Sequence, residues 1–285
     1  MGKAAKTVIV IGSGIASLFI GSVLIFALTV WSKFAIYDFT IWFVPIGAVG
    51  CGWLVGSGYY FALKAFGQRP SRPLMAMAAI TSAAALPLLY LFEYLFSRTG
   101  GRAFRTLMSY GSYVEQRVSH LAVQLSFNLQ SVGSPIEADP LGPILFLVKI
   151  VCFALGAVGI LSILNSKAYC EDCKRFLKSD GRQRRYFEQP AEIGAFMTTL
   201  QKAALEGQLQ RSIATHAVSG FYKDANPSNF QSDIDVYQCG GCRKYKVRHQ
   251  LRSWAGKEFR DVPGGLFSAV TSEKITLRGL GRPSS

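Results

Sequence analysis

Four long apolar runs, at about 7–31, 41–66, 73–96 and 143–164, constrain this chain more than any other feature. A helix needs about 20 residues to cross about 30 Å of hydrocarbon, and each run supplies that length. Composition agrees, because half of the residues are hydrophobic and only 17% are charged, where a soluble domain carries about 25% charged residues. Apolar surface is thus concentrated rather than patterned throughout, and a wholly soluble protein is not expected. The first run follows MGKAAK, exceeds the length of a signal-peptide core and has no small-residue cleavage site after it, so it reads as a retained signal anchor. Lys6 occupies the position where a myristoylation motif needs Ser or Thr, which argues against lipidation at Gly2.

Basic residues set the orientation. Twelve flank the spans on one side, among them Lys3, Lys64, Arg69, Lys174 and Arg185, against five on the other: Lys33, Arg98, Arg102, Arg105 and Arg117. The positive-inside rule then places both termini in the cytosol, and a bacterial inner membrane is the expected location. Ser13, Ser17 and Gly21 in the first span, and Ala48, Gly52 and Gly56 in the second, recur every four residues. Such spacing lines one helix face with small side chains and predicts a packing seam, within the chain or in a homo-oligomer. Apart from Lys64, which ends the second run and counts as flanking, Glu93 and Lys149 are the charged residues inside the runs, at similar depth near the outer interface, and are expected to pair or to snorkel. No charge lies near the midplane, which weighs against a transport path.

Between the third and fourth spans, Phe104, Leu107, Met108, Val114, Val118, Leu121, Leu125 and Leu129 fall mostly three or four apart, with Arg105, Glu115, Arg117 and Gln124 elsewhere on the wheel. This predicts one amphipathic helix over about 102–130, lying on the outer surface, capping the bundle or meeting a partner.

The chemistry-bearing residues are cysteines. Cys51 and Cys152 lie within spans and read as small apolar side chains. The other four form C-x2-C twice, Cys170 with Cys173 and Cys239 with Cys242. Two such knuckles supply four thiolates for a tetrahedral metal, and a reducing cytosol disfavours disulfides. With every position filled by sulfur the site would be structural, holding Zn2+, with iron the alternative because rubredoxin-type sites use the same pairs. This pattern resembles a zinc ribbon, and the resemblance covers the two knuckles and the hairpin around the second. Phe230, Ile234 and Val236 before CGGC, and Tyr245, Val247 and Leu251 after it, alternate with polar neighbours as two strands do. The 65 residues between Cys173 and Cys239 exceed the roughly 15–20 of the compact pattern. One helix starting at Pro190 and reaching about 217 would fill the gap, through Ile193, Phe196, Leu200, Leu209 and Ile213.

Arg243, Lys244, Lys246, Arg248 and Arg252 follow the second knuckle, with Tyr245 and Trp254 nearby. Lipid headgroups or a protein partner are expected to meet these charges, in preference to nucleic acid. His249 shares the apolar strand face and reads as a packing residue, His216 suits a helix C-terminus, and His120 has no evident partner.

The expected architecture is a membrane all-α domain over 1–165, a small cytosolic α+β zinc-ribbon-like domain over 166–262 with a helical insertion at about 190–217, and a partly flexible tail over 263–285. No HExxH helix, GxSxG elbow, phosphate-binding glycine loop or internal repeat occurs, so nothing points to an enzyme. The expected function is a membrane-anchored interaction, assembly or scaffold module. A channel or transporter subunit gated by the zinc domain is the alternative.

Overall fold

The computed structural model describes residues 2–40, 44–99, 102–129, 141–187, 190–216, 230–256 and 258–275. The chain divides into two units, Met1–Ser166 and Lys167–Ser285.

In the first unit the apolar runs become helices: α1 (Lys3–Ser32), a 3-10 turn (Ile36–Asp38), α2 (Ile46–Phe66), α3 (Arg72–Ala83) and α4 (Ala85–Phe96). A two-strand hairpin follows, β1 (Arg98–Thr99) with β2 (Arg102–Ala103), then α5 (Phe104–Leu107), α6 (Tyr110–Leu129) and α7 (Leu141–Ser166). Among the described residues, four helical stretches are long and apolar enough to cross a membrane: Ala4–Ser32, Ile46–Phe66, Arg72–Phe96 and Gly142–Ser166. Residues 41–43, expected at the start of the second span, lie outside the described residues. Large apolar side chains such as Phe19, Ile20, Trp31, Phe61 and Ile80 face outward, while Ser22, Ser82, Glu93 and Lys149 are buried. A soluble bundle has the opposite arrangement.

The third run is two helices, not one. Pro87 cannot donate to the carbonyl of Ala83, and its ring crowds that turn, so the ladder breaks at Ala84. Ser82 lies beside the break and donates from Oγ to the carbonyl of Phe153 at 3.0 Å, tying the kink to α7.

The small residues of α1 and α2 are used within the chain. A Cβ on Gly52 would run into the backbone carbonyl of Phe153, and one on Gly56 would stand 2.8 Å from Ala157 Cα. Ala48 is fully buried, and the three share the α2 face that meets α7. Ser13 Oγ donates to the Gly58 carbonyl at 2.9 Å, the Gly58 N–H donates to Ser17 Oγ at 3.1 Å, and a Cβ on Gly21 would meet Val55. Close backbone approach of this kind is what packs helices where no hydrophobic effect drives them together.

The single amphipathic helix expected over 102–130 is replaced by a hairpin and two helices. The chain leaves α4 through β1 and β2, and α5 ends at Met108 with extended backbone (φ −154°) before α6 begins. Side chains from His120 to Leu129 lie outside the described residues.

The second unit begins with β3 (Tyr169–Cys170) and β4 (Arg175–Phe176), a short hairpin around the first knuckle. Four antiparallel strands follow in the order β5 (Lys178–Phe187), β6 (Phe230–Gln238), β7 (Tyr245–Trp254) and β8 (Phe259–Thr271), with α8 (Pro190–Glu206) and α9 (Leu209–His216) between β5 and β6. Period-two alternation sends Ile234, Val236, Tyr245, Val247 and Leu251 to one face, where Phe196, Leu200, Leu209 and Ile213 of the helices cover them.

Two boundaries differ from expectation. The helix predicted over 190–217 is broken at Gly207, whose φ of +70° ends α8, while Gln208 donates to the Ala203 carbonyl at 2.8 Å in a Schellman arrangement. The domain also does not stop at 262. Strand β8 continues through Pro263, Gly264 and Gly265, where the register against β7 shifts between Gln250 and Arg252. A bulge on an edge strand tolerates a proline without an N–H. Ile275 still belongs to the core, and 276–285 lie outside the described residues.

Candidate functional site

The two knuckles are built alike. Each closes in a residue with left-handed backbone directly after its second cysteine, Lys174 (φ 52°) and Arg243 (φ 59°). In the second, the Cys239 N–H donates to the Lys244 carbonyl at 2.9 Å and the Arg243 N–H to the Cys239 carbonyl at 3.0 Å. These turns aim the sulfurs of Cys170, Cys173, Cys239 and Cys242 at one point, and all four lie within 4.8 Å of one another. Zinc bound tetrahedrally by thiolates, at Zn–S of about 2.3 Å, sets sulfurs about 3.8 Å apart. Cys170 Sγ and Cys242 Sγ are 3.8 Å apart. The fit extends to glycine: a Cβ on Gly241 would press on Cys173 Sγ at 2.9 Å. This group can hold a metal ion.

Burial opposes the Cys239 thiolate, but the N–H groups of Cys242 and Gly241 point at its sulfur and bring its titration down to about 7. Sharing a proton with the sulfurs of Cys242 and Cys239 pushes the Cys173 thiol up to about 12. A bound metal removes that competition by taking all four as thiolates.

The basic residues after the second knuckle are partly neutralised within the unit. Lys244 pairs with Asp172 at 2.9 Å, and Arg252 with Asp261 at 3.0 Å and Asp233 at 3.6 Å. Lys246, Arg248 and Arg252 share the sheet face opposite the helices, where Arg248 stands across from Asp235. Arg182 and Arg184 of β5 form bidentate pairs with Asp235 and Asp233 on the same face. Arg243 sits in the left-handed turn of the knuckle rather than on the sheet.

His249 lies on the inner face, fully buried, with Nε2 2.7 Å from Ser232 Oγ and its ring against Phe196. Burial, partly offset by Asp233, pushes its titration down to about 4. The unfolded chain binds its proton near 6.5, so between those values unfolding takes up a proton and stability is lost as the pH drops. Full stability is present above about pH 6.5 and the loss below it reaches roughly 3 kcal/mol. We expect His249→Phe to flatten this acid dependence relative to wild type at equal metal load, as monitored by denaturant unfolding of the second unit.

The first unit holds a second polar group that sequence reasoning assembled only in part. Glu93 and Lys149 do not pair with each other. The Glu93 carboxylate accepts from the Tyr37 hydroxyl, from Tyr113 Oη at 2.8 Å and from Arg117 Nη2 at 2.7 Å. Arg117 also donates to Tyr37 Oη at 3.0 Å and lies over the Tyr90 ring. Lys149 forms an ion pair with Asp38. Burial and the neighbouring Glu93 push Tyr37 and Tyr113 well above the usual tyrosine range, so both remain hydroxyl donors. Asp38 and Tyr37 come from the three-residue turn after α1, Arg117 and Tyr113 from α6. Tyr113 and Arg117 stand four apart on a helix, a spacing that puts them on one face and was available in the sequence.

Comparison with protein-family models, with curated proteins and with solved structures returned no match.

Proposed function

We propose that this chain is an integral membrane protein whose cytosolic domain is organised by a structural zinc ion and acts as a membrane-anchored interaction or assembly module. The observation that carries the reading is the meeting of two knuckles, 65 residues apart in sequence, within 4.8 Å. Zinc at that point would fix β3 and β4 against the turn between β6 and β7, and with four sulfur ligands it would leave no position for a substrate. The outward-facing apolar side chains of the first unit support insertion in a bilayer. Small residues that pack helices within the chain, and buried charged side chains that, among the described residues, cluster at one end of the bundle, favour this module over a pore-forming subunit. Full-length protein in detergent, used as bait with and without a zinc chelator, tests the reading. It predicts a protein partner held only by the metal-loaded form; the same partners in both arms, or ion flux from reconstituted protein, would count against it.

A further inference from the structure

The Glu93–Arg117 and Asp38–Lys149 ion pairs do not fill the space around them. They border a cavity of about 1040 Å³ at the end of the unit where α1 and α4 finish and α7 begins. Asp38, Glu93, Arg117 and Lys149 line it. Burying four charges is costly, and ion pairing recovers that cost only when geometry is good. Two opposed pairs would cancel, yet Lys33 and Arg98 also line the cavity, are exposed, and make no ion pair among the described residues. The lining is thus cationic by two charges. Arg117 Nε is buried without a hydrogen-bond partner among the described residues, which leaves a donor unused beside the cavity.

The remaining wall is apolar, and its placement matters. Phe26, Val30, Phe34, Leu145 and Val148 line the cavity, and of these Val30, Phe34 and Val148 are exposed. The cavity therefore opens sideways onto the apolar perimeter as well as toward the cationic rim. A ligand suited to it carries an anionic group for the rim and an apolar chain for the side opening. About 1000 Å³ is the upper range of small-molecule sites, enough for a polar headgroup and the first part of a chain.

We propose that this cavity binds the headgroup of an anionic lipid, with Lys33 and Arg98 meeting a phosphate whose charge no headgroup cation offsets, as choline does in phosphatidylcholine, and the acyl chain leaving between α1 and α7. The inference rests on the membrane reading above. The test uses full-length protein in a neutral detergent. Retention of phosphatidylglycerol and of phosphatidylcholine is compared by native mass spectrometry for wild type and for Lys33→Ala/Arg98→Ala, whose substitutions lie at an exposed rim. At about 1 kcal/mol for each cation, wild type should prefer phosphatidylglycerol by roughly thirtyfold and the double variant should lose that preference. Equal retention of the two lipids by wild type, or an unchanged preference in the variant, overturns the proposal. A third arm adds inorganic phosphate: protection by phosphate with no preference between the lipids would assign the site to a soluble anion and also overturn it. Release of the protein from membranes by alkaline carbonate would instead defeat the membrane reading itself, so the two failures are distinguishable.

Discussion

Cys239→Ser is expected to unfold the second unit while the first stays folded. Cys239 is the most buried of the four sulfurs, at 1% exposure, and accepts from the Gly241 N–H at 3.4 Å. Serine leaves a tetrahedral site one thiolate short and buries a hydroxyl in its place. Structural zinc contributes about 10 kcal/mol or more in small domains, as much as the entire stability of many. The loop that a bound metal would close is long, so ordering it without the metal costs more entropy than a compact ribbon would. Circular dichroism and limited proteolysis of the purified variant should show loss of the sheet and cleavage beyond Lys167, with the four apolar helices protected. A variant with an intact, protease-resistant second unit would remove the structural role of the metal.

Glu93→Ala should be the most damaging single change in the first unit. The carboxylate serves three donors at once, and its removal takes the shared acceptor from the Arg117 guanidinium and from two buried tyrosine hydroxyls beside the cavity. Breaking a buried pair by deleting one partner costs about 3 kcal/mol or more, which for a unit of this size lowers Tm by about 6–12 °C. Glu93→Gln retains an acceptor but not the charge, and should fall between the variant and wild type. Thermal unfolding in detergent is the measurement, with metal retention by the second unit expected to be unaltered. An unchanged Tm for Glu93→Ala would mean that the network is not structural.

What could be read from the residues, and what could not, follows from the range over which each signal acts. Apolar runs and C-x2-C spacing are local, so the helices and the thiol pairs were visible in the sequence. The alternation around CGGC was equally local and marked β6 and β7. Strand β5 was hidden because half of its residues KSDGRQRRYF are charged; it is stabilised by Arg182 and Arg184 reaching Asp235 and Asp233 on a strand about 50 residues away. Strand β8 was hidden by Pro263 and its neighbouring glycines, which a bulge absorbs. The partners of Glu93 and Lys149 come from connectors, Asp38 from a 3-10 turn and Arg117 from α6, and no periodicity fixes where a connector folds back. The break in the third span was legible, since Pro87 dictates it, but a hydropathy run averages over a single proline.

Metal analysis of the purified full-length protein tests the central claim most directly. A single zinc ion per chain, absent from the Cys239→Ser variant, is the predicted result. A folded wild-type chain with neither zinc nor iron would contradict it.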